Sequence, residues 1–96
     1  MGSAMKKIKG MFKGKKVIFS LQWPDAREVF VAGTFNNWDT RKDQLKEIAK
    51  GWKLIKYLAP GTYEYRFVVD GIWMDDPTAR TRCPNQYGGQ NCVLEV

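Results

Sequence analysis

An enzyme needs a nucleophile, an acid/base pair or a metal, and this chain offers none of them in a usable arrangement. Its 96 residues include no histidine, so the commonest general base at neutral pH is missing. Cys83 and Cys92 therefore have no imidazole to draw off a proton. Two thiols alone also fall short of the four ligands usual for structural zinc, and they read as free, buried or half-buried thiols. Asp75 and Asp76 are neighbours that an extended chain would send to opposite faces, and the Pro77 that follows suggests turn-forming duty. Nothing in the spacing sets Glu64, Asp70 or Glu95 across a cleft from another carboxyl, as glycoside cleavage by a carboxylate pair requires. The expectation is a protein with no catalytic activity, no cofactor and no metal.

The tryptophans are more informative. Trp23 and Trp52 lie beside or within apolar, strand-like stretches and have an easy core reading. Trp38 follows the polar run Phe35-Asn36-Asn37, and Trp73 comes just after Asp70-Gly71. Asn, Asp or Arg stands near both. A pyranose ring has an apolar face of axial C–H groups and a rim of hydroxyls. An indole offers a flat surface to that face, and amides or a guanidinium offer donors and acceptors to the rim. Each such aromatic contributes about 0.5–1.5 kcal/mol beyond area burial. On composition alone, core or interface packing of Trp38 and Trp73 stays open, because Trp is common in both places.

The elements that must position these side chains are short strands. Val17, Phe19 and Leu21 alternate with Lys16, Ile18 and Ser20, the period of a half-buried strand. Pro24-Asp25 turns the chain, and Glu28–Gly33 is a second strand. Gly33–Asp39 reads as a loop. Residues 39–50 hold Leu45 and Ile48 at a helical spacing, yet a short strand closed by Ala49-Lys50-Gly51 fits better, since Trp52–Leu58 resumes alternation at once. Pro60-Gly61 is a turn. Thr62–Val69 alternates cleanly, with Tyr63, Tyr65, Phe67 and Val69 on one face and Thr62, Glu64, Arg66 and Val68 on the other. Asp70-Gly71 signals a tight hairpin into Ile72-Trp73-Met74. Asp75–Gln90 reads as a surface loop, and Cys92–Val96 as the last strand. About seven short antiparallel strands with no convincing helix predict an all-β sandwich.

Charge and termini bound the partners. Six lysines crowd into residues 6–16, so much of the formal net charge of +6 belongs to an amino-terminal arm. Met1-Gly2-Ser3-Ala4 reads as an expression scar, and residues 1–14 as a tag remnant and flexible basic arm preceding a domain over 15–96. A lysine run attracts phosphates without sequence preference, but a solvated arm is the expectation. No zinc-finger spacing or RNA-binding motif accompanies it, so no specific nucleic-acid partner is expected. No apolar run approaches the roughly 20 residues of a membrane helix, and lysines interrupt any signal-peptide pattern. A cytoplasmic address follows as the default.

Four runs, in order, carry a resemblance: Val29-Phe30-Val31-Ala32-Gly33-Thr34-Phe35-Asn36-Asn37-Trp38; Pro60-Gly61-Thr62-Tyr63-Glu64-Tyr65-Arg66-Phe67-Val68-Val69-Asp70-Gly71-Ile72-Trp73; Asp76-Pro77; and Asn91-Cys92-Val93-Leu94-Glu95-Val96. Over residues 15–96 the chain resembles the family 48 carbohydrate-binding modules. These include the glycogen-binding domain of the AMP-activated kinase β subunit and the amino-terminal domains of isoamylases and branching enzymes. The resemblance implies an immunoglobulin-like β-sandwich that binds α-1,4-glucan (glycogen, starch or maltooligosaccharide) on one face. It implies Trp38 and Trp73 as stacking platforms, with Arg66 (where the family commonly has lysine) and Asn91 bonding hydroxyls. The stretch Asn85-Gln86-Tyr87-Gly88-Gly89-Gln90 departs from the kinase form, which offers an apolar residue there, and is similar to short bacterial versions. The resemblance implies Tyr87 as the residue that would replace that contact. A regulatory protein-interaction module of the same fold without sugar binding is the alternative, since a fold alone fixes no ligand.

Overall fold

Alternation decides the architecture. The structure, a computed structural model, describes residues 14–96, so the expected arm lies outside the described residues except for Gly14. The strands are β1 (Lys15–Leu21), β2 (Val29–Gly33), β3 (Asp43–Gln44), β4 (Lys46–Ile48), β5 (Gly51–Leu58), β6 (Thr62–Val69), β7 (Ile72–Met74), β8 (Thr81–Pro84) and β9 (Gln90–Glu95). One sheet has the order β1-β5-β4 and the other β3-β2-β6-β9-β8, with β7 also paired to β6. Every pairing is antiparallel. This is the all-β sandwich expected from the pattern, in the immunoglobulin-like form that the resemblance implies.

The faces that alternation predicts as apolar meet between the sheets. Phe19 and Leu21 of β1, Trp52 of β5, Val29 and Val31 of β2, Tyr65, Phe67 and Val69 of β6, and Cys92 of β9 form one buried cluster. Leu45 joins it from the short link where the chain leaves β3, in the larger sheet, for β4, in the smaller. Fully burying side chains of this size stabilises by about 1.5–3 kcal/mol each. The larger sheet also has a second, smaller apolar cluster on its outer face: Phe30, Ala32 and Val68, packed against Trp38.

Three expectations need correction. The segment 39–50 supplies two short strands rather than one, because Leu45 is swallowed by the core at the crossing between sheets. Thr81–Pro84, expected within a loop, is β8. It pairs only with β9 at the sheet's edge, where proline's missing N–H is tolerated and polar residues hide the strand pattern. Trp23 is 42% exposed rather than buried. Its carbonyl accepts from Trp52 Nε1 at 3.1 Å and from the Ala26 N–H at 3.3 Å.

Asp75 and Asp76 part as alternation suggests, and Asp76 does more than turn the chain. Its buried carboxylate accepts from Tyr65 Oη at 2.6 Å and from both the N–H and the hydroxyl of Thr78. Cys83 and Cys92 are free thiols. Cys83 stands opposite Asn91 and Arg82 opposite Cys92 in the β8–β9 ladder, so the two sulfurs face opposite sides of the sheet.

Candidate functional site

The loop after β2 is built to present an indole. Gly33 must be glycine: a Cβ there would meet the Glu64 carbonyl oxygen at 2.5 Å and the Phe35 ring at 2.7 Å. A single 3-10 turn, Thr34–Asn36, follows. The buried Asn36 amide locks it. Its Oδ1 accepts from the Gly33 N–H at 3.0 Å, and its Nδ2 donates to the Val31 carbonyl at 3.0 Å and to Asp43 Oδ2 at 2.8 Å. Asn37 (φ 57°) and Trp38 (φ 58°) are then both left-handed, and the Trp38 N–H closes back on the Gly33 carbonyl at 2.9 Å. A bulky residue held in that region costs about 1–3 kcal/mol, a cost met where the side chain has work to do. The half-buried Trp38 indole packs against the Phe30–Ala32–Val68 cluster and also lines the groove described below.

Trp73 arrives by a different device. Asp70 (φ 50°) and Gly71 (φ 83°) make the tight turn between β6 and β7. The Asp70 carboxylate is fixed by the N–H groups of Arg27 and Glu28, each at 2.9 Å. Trp73 then pairs across from Val68, beside Trp38, and stays 42% exposed. Arg66 pairs with Ala32 on the same outer face and lays its guanidinium over the Trp73 ring, 5.9 Å from the centroid. Its Nε donates to Asp75 Oδ1 at 2.9 Å, and Arg82 reaches the other Asp75 oxygen at 3.5 Å.

The polar half of the site is a chain of oriented amides. Asn91 Nδ2 donates to Glu64 Oε1 at 3.0 Å, while Asn91 Oδ1 accepts from Asn85 Nδ2 at 3.2 Å. Donor and acceptor ends are thus distinguished, and the side chain has one orientation. Asn85 Oδ1 in turn accepts from the N–H groups of Tyr87 and Gly89 at 2.9 and 3.1 Å, shaping the tip that carries Tyr87, which is 85% exposed. The Glu64 N–H donates to Thr34 Oγ1, tying β6 to the Trp38 loop. The Asn91 amide, helped by the Cys83 thiol, holds the Glu64 carboxyl below the usual carboxylate range. The Cys83 thiol is pushed up, chiefly by that bond to Glu64, and the Cys92 thiol is pushed up chiefly by burial. Neither is a ready thiolate nucleophile.

All five residues anticipated from the sequence, Trp38, Arg66, Trp73, Tyr87 and Asn91, line one open groove of about 880 Å³, with Thr34, Glu64, Pro84, Asn85, Gln86 and Gly89. Glu64 and Asn85 were missed. Glu64 had a signal in its parity, which it shares with Arg66, and Asn85 had one in the Asn-x-Tyr-Gly-Gly turn run. Asp75, beneath Arg66, had none. Among the described residues, no group of three or more Cys, Asp or Glu side chains could hold a metal ion.

An all-β sandwich with two indoles, a guanidinium and fixed amides around an open groove defines a surface-binding module, with platforms for a flat ligand. Residues 17–96 match the family described as the glycogen recognition site of AMP-activated protein kinase, and the chain belongs to that family. It is a non-catalytic recognition domain. It is 37% identical over 77 residues to the mouse 5'-AMP-activated protein kinase subunit beta-2, covering 79% of this chain and 28% of that protein. It is 43% identical over 51 residues to the SNF1-related protein kinase regulatory subunit beta-2 of Arabidopsis thaliana (53% and 17%). It is 41% identical over 59 residues to the Arabidopsis protein PTST homolog 2, chloroplastic (60% and 11%). The match therefore spans less than a third of each of these relatives.

Proposed function

We propose that the domain binds α-1,4-glucan chains along the groove, with Trp38 and Trp73 stacking on glucose faces and Arg66, Asn91 and Tyr87 contacting the rim. The observation that carries this is the pair of outward indoles beside Arg66 on one outer sheet face, lining a single groove. Family membership supports the same ligand class. An open platform buries little area and competes with water for every hydroxyl. Dissociation constants for short chains should therefore fall between tens of micromolar and millimolar, about −4 to −6 kcal/mol. Polymeric glucan compensates by offering many sites. Titration with maltoheptaose, followed by NMR at the tryptophan indoles, tests it. Shifts confined to the indoles of Trp38 and Trp73 support the reading, and no shift at high millimolar sugar overturns it.

A protein partner is the second reading. The outer face of the β1-β5-β4 sheet exposes Ile18 and Ile55, directly paired across strands, with Tyr57 beside them. Two of the relatives are named as kinase subunits. Loss of a partner on Ile55→Glu, with maltoheptaose binding intact, would separate this role from the groove.

A further inference from the structure

Two ionic side chains line the groove, Glu64 and Arg66, and their situations differ. The Arg66 charge is already met: Asp75 accepts from its Nε at 2.9 Å, and the Trp73 ring lies under its guanidinium. Glu64 has no cation within ion-pair distance among the described residues. Its hydrogen-bond donor is neutral, the Asn91 amide at 3.0 Å, and the neutral Cys83 thiol lies near enough to help hold its pKa down. These stabilise its ionised form, so it carries its charge at neutral pH. The chain as a whole bears a formal net charge of +6, yet its groove presents a carboxylate with no ion-pair partner among the described residues.

We propose that Glu64 is a ligand for sugar hydroxyls and makes the groove select neutral glucan chains over phosphorylated ones. The inference rests on the glucan reading above. A carboxylate is an acceptor with about four lone-pair sites, and Asn91 and Cys83 leave room for hydroxyl donors. Hydroxyl hydrogen bonds to a charged acceptor are shorter and stronger than those to a neutral one. A phosphate monoester carries roughly −1.5 to −2 charges near neutral pH. Arg66 alone would welcome it through its planar fork, but Asp75, bonded to its Nε at 2.9 Å, offsets that charge while leaving the Nη groups to donate to neutral hydroxyls. Repulsion from Glu64 across a half-exposed groove should then weaken a phosphorylated chain by about threefold to tenfold at low salt, and by less at high salt.

The test compares maltoheptaose with the same heptasaccharide bearing one phosphate monoester, on the whole chain and on Glu64→Gln, by calorimetry at low and high salt. The glutamine keeps an oxygen for Asn91, and a thermal melt checks that the fold is unchanged. The wild type should prefer the neutral sugar by about threefold to tenfold. Glu64→Gln should bind the neutral sugar about twofold to fivefold more weakly, bring the preference close to unity and flatten its salt dependence. Equal binding of both sugars by the wild type, or an unchanged preference in Glu64→Gln, overturns the proposal while leaving the glucan reading standing. Failure of the wild type to bind either sugar removes both.

Discussion

The Trp38 and Trp73 rings lie 6.2 Å apart, centroid to centroid, with their planes inclined at 57°. They do not stack on each other. An inclined pair instead forms two walls of a shallow cradle, which suits a chain whose successive sugar faces turn along a curve, as α-1,4-linked glucose does. The two indoles are otherwise unequal, and that inequality is testable.

Trp38 seals the Phe30–Ala32–Val68 cluster, whereas Trp73 stands at the rim. Trp38→Ala should therefore lower stability by about 1–3 kcal/mol as well as remove glucan binding. Trp73→Ala should lose binding by roughly tenfold or more while stability stays within about 1 kcal/mol. Urea unfolding paired with retention in a glycogen-containing native gel checks both. Equal stability losses would contradict the assigned difference in packing.

Asn36 is the peg of the Trp38 loop, with its amide bonded to Gly33, Val31 and Asp43. Asn36→Ala leaves a buried backbone N–H and carbonyl without partners, at a cost of about 1–3 kcal/mol. Trp38 then keeps its positive φ only through its own N–H bond to Gly33 and its packing on the Phe30–Ala32–Val68 cluster, so maltoheptaose affinity should fall with stability even though Asn36 is buried away from the groove. Affinity unchanged in a folded Asn36→Ala would show that the loop keeps its shape by other means.

Much of this was legible beforehand, and the reasons are local. The parity of Thr62–Val69 separates Tyr65 and Phe67 from Arg66 with no tertiary information, and the cluster containing Tyr65 and Phe67 bears it out. Asp70-Gly71 is a turn by its own backbone preferences. Trp38, Arg66, Trp73, Tyr87 and Asn91 were anticipated on the residues and the family pattern together, and they share one groove. What escaped depends on non-local partners. Pro84 and the polar residues around it form a strand only because β9 offers an edge. Trp23 lies in the link after β1, outside any strand, where alternation assigns it no face. Asp76 looks like turn chemistry until Tyr65 is seen above it.

That last pair gives a pH dependence. Burial first, and the Asp76 carboxylate second, push the Tyr65 phenol far above its ordinary value of about 10. A group whose folded pKa is raised contributes stability that is complete below its unfolded pKa and is lost as pH rises toward the folded one. Stability should thus be flat through neutral pH and fall above about pH 10. Tyr65→Phe should abolish the part of that alkaline fall due to the phenol. At neutral pH it should cost about 1–3 kcal/mol, because Asp76 Oδ2 loses its 2.6 Å donor inside the core. Chemical denaturation at neutral and alkaline pH measures both effects. An alkaline slope identical in Tyr65→Phe and wild type would rule out Tyr65 as its source.

Asn85 touches both ends of the polar half of the groove. Its oxygen shapes the Tyr87 tip through two N–H groups, and its nitrogen fixes the Asn91 oxygen. Removing it should free the tip and let the Asn91 amide turn over. Asn85→Ala should therefore cost glucan affinity about as much as Tyr87→Ala and Asn91→Ala combined, each contact being worth about 0.5–1.5 kcal/mol. Stability should change by less than about 1 kcal/mol, since the loop is exposed. The decisive comparison is the double variant. If Asn85 acts through Tyr87 and Asn91, adding Tyr87→Ala to Asn85→Ala should reduce affinity by less than it does in the wild type. Full additivity in a maltoheptaose titration would mean that Asn85 binds sugar independently of the tip it holds.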